Sequence, residues 1–131
     1  KTFDTVVLLQ PTSPFRNSEH ILEALKLYET SIDMVVSVKE ADANPYYTLF
    51  EEDGNGNLQK SKEGNFSRRQ DCPKIYEYNG AIYAINSESL KKMPMSTFKT
   101  VKKFVMSPTA SHDIDTALDW IVAESLMKQQ S

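Results

Sequence analysis

Asp113 and Asp115 stand either side of Ile114, just ahead of a run that reads as a helix. In an extended segment, residues two apart point to the same side, so both carboxylates can reach one cation. Two hard oxygen donors suit Mg2+, which takes one or two carboxylates together with phosphate oxygens. Transfer of a nucleotidyl group needs such an ion, to orient a triphosphate and offset charge on the leaving pyrophosphate. The same spacing also fits a plainer arrangement, in which Asp115 caps the helix and Asp113 is solvated.

A second polar cluster lies near the other end, where Leu8-Leu9 runs into Gln10-Pro11-Thr12-Ser13-Pro14-Phe15-Arg16. Two prolines three apart stiffen this loop, and in open α/β sheets ligands gather where strands end. The Gln10 amide can both donate to and accept from a polyhydroxy ligand, and Ser13 lies in the stiffened part. A proline-punctuated turn with no ligand is the competing reading. Arg68 and Arg69 could hold a carboxylate in bidentate fashion, or be solvated cations of a basic loop. Asn79-Gly80 opens a strand, and Gly80 would let the backbone approach a ligand closely. Tyr83, on that strand, also fits a half-buried core tyrosine. His20 and His112 are the only histidines. His20 reads as surface, and His112, although beside the acids, is not required by a two-acid Mg2+ site.

The elements that must position these groups read as α/β. Thr5 to Leu9 is a continuous apolar, β-branched run, the pattern of a strand buried on both faces. Ile21, Leu22, Leu25 and Tyr28 recur at helical spacing, with Asn17 or Ser18 as cap. Asp33 to Val38 is the next strand, completing a strand–helix–strand unit that favours a parallel sheet. Tyr46 to Phe50 is a candidate strand before the turn signal Glu51 to Asn57, and Leu58 to Asp71 reads as a long polar arm. Gly80 to Asn86 returns to a strand pattern, Ser87 to Lys92 is a short helix, and Lys103 to Met106 a short strand. The last helix is capped by Asp115 or Thr116, and its apolar face is Ala117, Leu118, Ile121, Val122 and Leu126. The expected whole is one domain, a doubly wound sheet with a β-hairpin insertion near residues 42–72.

Composition sets wide bounds. The 131 residues allow one domain with a modest core, and 40% hydrophobic with 25% charged residues is ordinary for a globular chain. A net charge of −3 with no basic run gives no argument for nucleic acid. No apolar stretch is long enough to span a bilayer. Cys72 is the only cysteine, which excludes an intrachain disulfide and points to a reducing, cytoplasmic compartment.

Taken in order, Gln10-Pro-Thr-Ser-Pro14, Arg68-Arg69-Gln70-Asp71, Asn79-Gly-Ala-Ile-Tyr83 and Asp113-Ile-Asp115 resemble the acylneuraminate cytidylyltransferases, which make CMP-sialic acids. The resemblance runs from about Val6 to Asp119. It implies a Rossmann-like nucleotide-diphospho-sugar transferase fold with a parallel or mixed sheet, and a homodimer built on the hairpin insertion. It implies CTP and a nonulosonic acid as substrates and Mg2+ held by Asp113 and Asp115, the catalytic acids. Gln10, Ser13, Arg69, Asn79 and Tyr83 would then bind the acceptor, with Phe98 a wall for its N-acyl group and Arg16 positioning the loop.

Two departures qualify the match. The family's A-R-x-x-S-K phosphate loop has no counterpart, so this chain is expected to be the C-terminal part of a longer enzyme, inactive alone. Asn44-Pro45-Tyr46-Tyr47 stands where many members carry a lysine, which opens legionaminic acid as the acceptor. An enzyme for 3-deoxy-manno-octulosonic acid, a non-catalytic sugar-binding or oligomerisation module, and a metal-dependent phosphatase are the alternatives.

Overall fold

The structure, a computed structural model, describes residues 2–130. It contains β1 (Thr5–Leu8), α1 (Ser18–Lys26), β2 (Met34–Glu40), β3 (Phe50–Glu52), β4 (Leu58–Lys60), β5 (Tyr76–Asn86), α2 (Ser87–Lys92), β6 (Val101–Val105) and α3 (Ala117–Gln130). The chain divides into two compact units, one formed by Lys1–Lys39 with Tyr78–Ser131, the other by Glu40–Glu77.

The larger unit is built on a mixed sheet in the order β1-β5-β2-β6. β1 runs antiparallel to β5, with Thr5 opposite Asn86 and Leu8 opposite Tyr83. β2 runs parallel to β6, with Met34 opposite Val101 and Val38 opposite Val105. The α/β class with a mixed sheet is therefore as expected, although the strand–helix–strand unit does not place β1 beside β2. Successive β2 side chains alternate between two cores. Met34, Val36 and Val38 join Ile85 in one, while Val35 joins Ile82 and Ala84 in the other. Full burial of each such aliphatic is worth about 1.5–3 kcal/mol, so the interior strands β2 and β5 anchor the sheet.

Double burial was expected of Thr5–Leu9, and there the structure differs. β1 is an edge strand with only β5 beside it, and Val6, Val7, Leu8 and Leu9 are all exposed. An apolar run shows that a strand is suited to burial, but not which place in the sheet it takes. The last helix departs in the same way: Leu118, Ile121 and Val122 are exposed, and Ala123 is the residue α3 buries.

α1 begins where expected. The Asn17 side chain accepts from the His20 N–H at 3.0 Å, and the His20 ring accepts from the Asn17 N–H at 3.1 Å, a reciprocal cap. β6 lies at Val101–Val105 rather than Lys103–Met106, and β5 starts at Tyr76, before Asn79-Gly80.

In the smaller unit, β3 and β4 pair antiparallel as a hairpin across Asp53–Asn57, with Phe50 opposite Lys60. This is the hairpin expected within residues 42–72. Tyr46 to Leu49 is a turn rather than a strand. The Asn44 carbonyl accepts from the N–H groups of Tyr47, Thr48 and Leu49, and its side chain accepts from that of Tyr46. Asparagine side chains favour such turns by bonding the backbone two residues on. Among the described residues, no helix is long and apolar enough to cross a membrane.

Candidate functional site

The loop after β1 and the acidic segment before α3 lie side by side in the larger unit. The Ile114 N–H donates to the Thr12 carbonyl at 3.0 Å, and the rings of Phe15 and His112 pack with centroids 6.4 Å apart. Arg16 fastens the loop to the sheet: its Nη1 donates to the Gln10 carbonyl at 2.6 Å and to the Ala81 carbonyl at 3.0 Å. Two segments a hundred residues apart in sequence thus share one end of the sheet.

The capping question is settled by hydrogen bonds. Thr116 Oγ1 accepts from the Asp119 N–H at 3.2 Å, and Asp119 Oδ2 accepts from the N–H groups of Thr116 and Asp115, each at 3.0 Å. Thr116 and Asp119 therefore form the reciprocal cap of α3, and the Asp115 carboxylate is left out of it. Those donated bonds, first that from Asp115, hold Asp119 below the usual carboxylate range. His112 Nε2 also bonds the Asp119 carbonyl at 2.8 Å, so its ring braces the same turn.

A hydrogen bond with Asp113, then its charge, raises Asp115 above the ordinary aspartate range. Asp113 Oδ1 is buried and has no hydrogen-bond partner among the described residues. Two neighbouring carboxylates and one orphaned buried oxygen form a donor set of the kind a hard divalent cation could satisfy, by charge and by coordination. No group of three or more His, Cys, Asp or Glu able to hold a metal ion occurs among the described residues. A two-acid Mg2+ site needs none, since water and phosphate complete the shell.

Tyr83 is half-buried, and burial raises its hydroxyl, followed by Tyr78 and then by the charge of Asp113. Its ring meets Tyr78 edge to face, with centroids 6.3 Å apart. Tyr83 and Phe98 both pack against the Met34–Ile85 core. Ser13 is buried with its Oγ unpartnered among the described residues.

Asn79 is placed otherwise than expected. It is buried, its Oδ1 accepts from Ser37 Oγ at 2.6 Å and from the Ala81 N–H at 3.1 Å, and its Nδ2 donates to Ser111 Oγ at 3.0 Å. That amide is committed to the interior, where it ties β2 and β5 to the turn that leads into Asp113. Arg69 lies in the smaller unit and donates to the Asp42 carbonyl, while Arg68 pairs with Asp71 at 2.9 Å. The structure brings together Gln10, Ser13, Tyr83, Asp113 and Asp115 within the larger unit.

Sequence reasoning passed over Ser37 and Ser111. A serine amid the apolar Met34–Val38 run was the available signal, since a buried hydroxyl requires a partner.

No protein-family model matches the chain. Among curated proteins, it is 32% identical over 130 residues to "Post-translational flagellin modification protein B" of Campylobacter coli, covering 98% of this chain and 55% of that protein. It is 35% identical over 129 residues to CMP-N,N'-diacetyllegionaminic acid synthase of Legionella pneumophila, covering 96% of the chain and 55% of that protein. It is 36% identical over 118 residues to the N-acylneuraminate cytidylyltransferase of Streptococcus agalactiae serotype V, covering 88% and 28%. The chain thus spans about half the length, or less, of the curated relatives it matches. In fold it resembles the crystal structure of 4-diphosphocytidyl-2C-methyl-D-erythritol synthase from Anaerococcus prevotii. The TM-score is 0.63 at 14% identity, over 95% of this chain and 59% of that one.

Proposed function

From the premise that the chain belongs to the acylneuraminate cytidylyltransferase family, we propose that the protein transfers CMP from CTP to the anomeric hydroxyl of a nonulosonic acid. The anomeric oxygen would form the new bond to the α-phosphorus as its hydroxyl proton passes to solvent and the bond from the α-phosphorus to the bridging oxygen breaks, releasing pyrophosphate. The observation that carries this reading is the Asp113–Asp115 pair, freed from helix capping by Thr116 and fastened to the Gln10–Arg16 loop through Ile114 and Thr12.

Asp113 and Asp115 are the groups that would hold Mg2+, which supplies charge neutralisation on the triphosphate. Gln10, with its amide at the strand end, would bind the hydroxyls of the acceptor; Ser13 lies in the same loop. Tyr83 would line the acceptor pocket, with Phe98 as the wall against its N-acyl group. For its carboxylate, which is costly to bury without a partner, the family resemblance names Arg69, a residue of the smaller unit. Asn79 would act through position, holding the turn before Asp113. Most of the rate is ascribed to positioning and charge compensation.

Relatives named for N-acylneuraminate and for N,N'-diacetyllegionaminic acid both match this chain. Tyr47, where many family members have a lysine, favours testing both acids. Exposed Leu49, Phe50 and Leu58 on and beside the hairpin support a homodimer formed there, and the single cysteine supports a cytoplasmic location.

The deciding experiment measures pyrophosphate release from CTP and Mg2+ by the full-length protein, offered N-acetylneuraminic and N,N'-diacetyllegionaminic acids in parallel. Release that requires one of them is expected. A folded protein that binds a sugar acid yet releases nothing would instead be a sugar-binding module.

A further inference from the structure

Gly80 is the one strand residue with a left-handed backbone, φ 74°, among those described. A Cβ added there would overlap Gln10 Oε1 and come within 3.1 Å of Gln10 Cδ. The Gln10 carboxamide therefore lies directly over the Gly80 Cα, in space that every other residue type would fill. Among the described residues its amide makes no hydrogen bond, so packing rather than bonding fixes its direction and its donors are left for a ligand. The backbone of the same residue is held independently, through the Arg16 guanidinium shared between the Gln10 and Ala81 carbonyls. Both restraints run to the same short stretch of β5, residues 80 and 81.

We infer that Gly80 and Arg16 are positioning residues for Gln10, together setting where its amide meets the acceptor sugar. Gly80 supplies clearance for the side chain, and Arg16 ties the backbone of the loop to the strand. The acceptor is thereby read by an amide whose place is decided by a glycine on the neighbouring strand. This rests on the reading above that Gln10 contacts the sugar acid. A glycine in a strand normally weakens it and marks a bulge or a close approach; here the close approach is that of Gln10.

The test is a cycle of Gly80→Ala and Gln10→Ala in the full-length protein, read by the KM for sugar acid, the KM for CTP, and Tm. Gly80→Ala alone should raise the sugar-acid KM about tenfold, the scale of one lost hydrogen bond, and leave the CTP KM unmoved. With Gln10 already alanine, adding Gly80→Ala should produce no further rise and a smaller drop in Tm, because the overlap has gone and only the backbone strain persists. Rescue of folding by Gln10→Ala, should Gly80→Ala alone not fold, supports the same conclusion. Additive effects on both KM and Tm would overturn the clearance role.

Arg16→Lys provides the second arm. It should raise the sugar-acid KM several-fold in the wild-type background and not in the Gln10→Ala background; an equal rise in both overturns the Arg16 assignment. If Gln10→Ala itself leaves the sugar-acid KM unchanged, the contact with the acceptor is wrong. The Tm cycle then still decides the packing of Gly80 against Gln10.

Discussion

Asp115 shows how a single side chain can be claimed by two roles until its neighbour is placed. It stands next to a helix, and aspartates there are usually caps, yet Thr116 and Asp119 complete the cap between them. Asp115→Asn should therefore cut turnover by about 100-fold or more, the scale of losing one preorganised electrostatic partner. Its Tm should not fall, since crowding against Asp113 is relieved. Steady-state kinetics beside a thermal melt checks both, and unchanged turnover would remove Asp115 from the proposed metal site. Arg69→Ala makes a sharper demand: the KM for sugar acid should rise while the KM for CTP stays in place. Movement of the CTP value alone would put Arg69 elsewhere.

At the scale of elements, Asp33, immediately ahead of β2, joins that strand to two other elements. Its carboxylate accepts from Ser89 Oγ at 2.6 Å on α2, and from the Lys99 and Thr100 N–H groups at 3.0 and 3.1 Å ahead of β6. These bonds, Ser89 first, hold its carboxyl at about 2, where an unperturbed aspartate is near 3.8. A depressed folded-state value means that the stabilisation is complete above the unfolded value and lost as pH falls through the folded one. Asp33→Asn should therefore lower Tm at neutral pH. The gap from wild type should narrow below about pH 4 and close as the pH falls through about 2. Melts over that range test it, and a gap independent of pH would show that the asparagine fails for packing reasons instead.

For the molecule as a whole, the expectation concerns surface. β1 ends the sheet with Val6, Val7, Leu8 and Leu9 exposed, and α3 exposes Leu118, Ile121 and Val122. An exposed apolar edge, even of four residues, is a template for pairing with further strands. The 131-residue chain by itself should associate as its concentration rises, measured by light scattering, and Val7→Lys should suppress this. Scattering that stays flat for the wild-type chain would show that these side chains do not drive association.

Much was legible in the residues alone. The α/β class came from apolar runs alternating with helical periods, the first helix from Asn17, and the hairpin turn from Asp53-Gly54-Asn55-Gly56-Asn57. These signals are local: backbone sterics, caps and turn chemistry act over a few residues and leave their mark in composition. The Gln10 loop and the Asp113–Asp115 pair could likewise be singled out, as residue types at a spacing.

Which of those residues meet, and which are spent elsewhere, was decided only in three dimensions. Thr5–Leu9 and Met34–Val38 look equally suited to an interior strand, and strand order alone puts one at the edge. Asn79 and Gln10 both carry an amide, yet Ser37 and Ser111 draw one into the core while Gly80 leaves room for the other at the surface. The physical reason is common to both: burial and hydrogen-bond satisfaction depend on neighbours distant in sequence, and no local pattern records who those neighbours are.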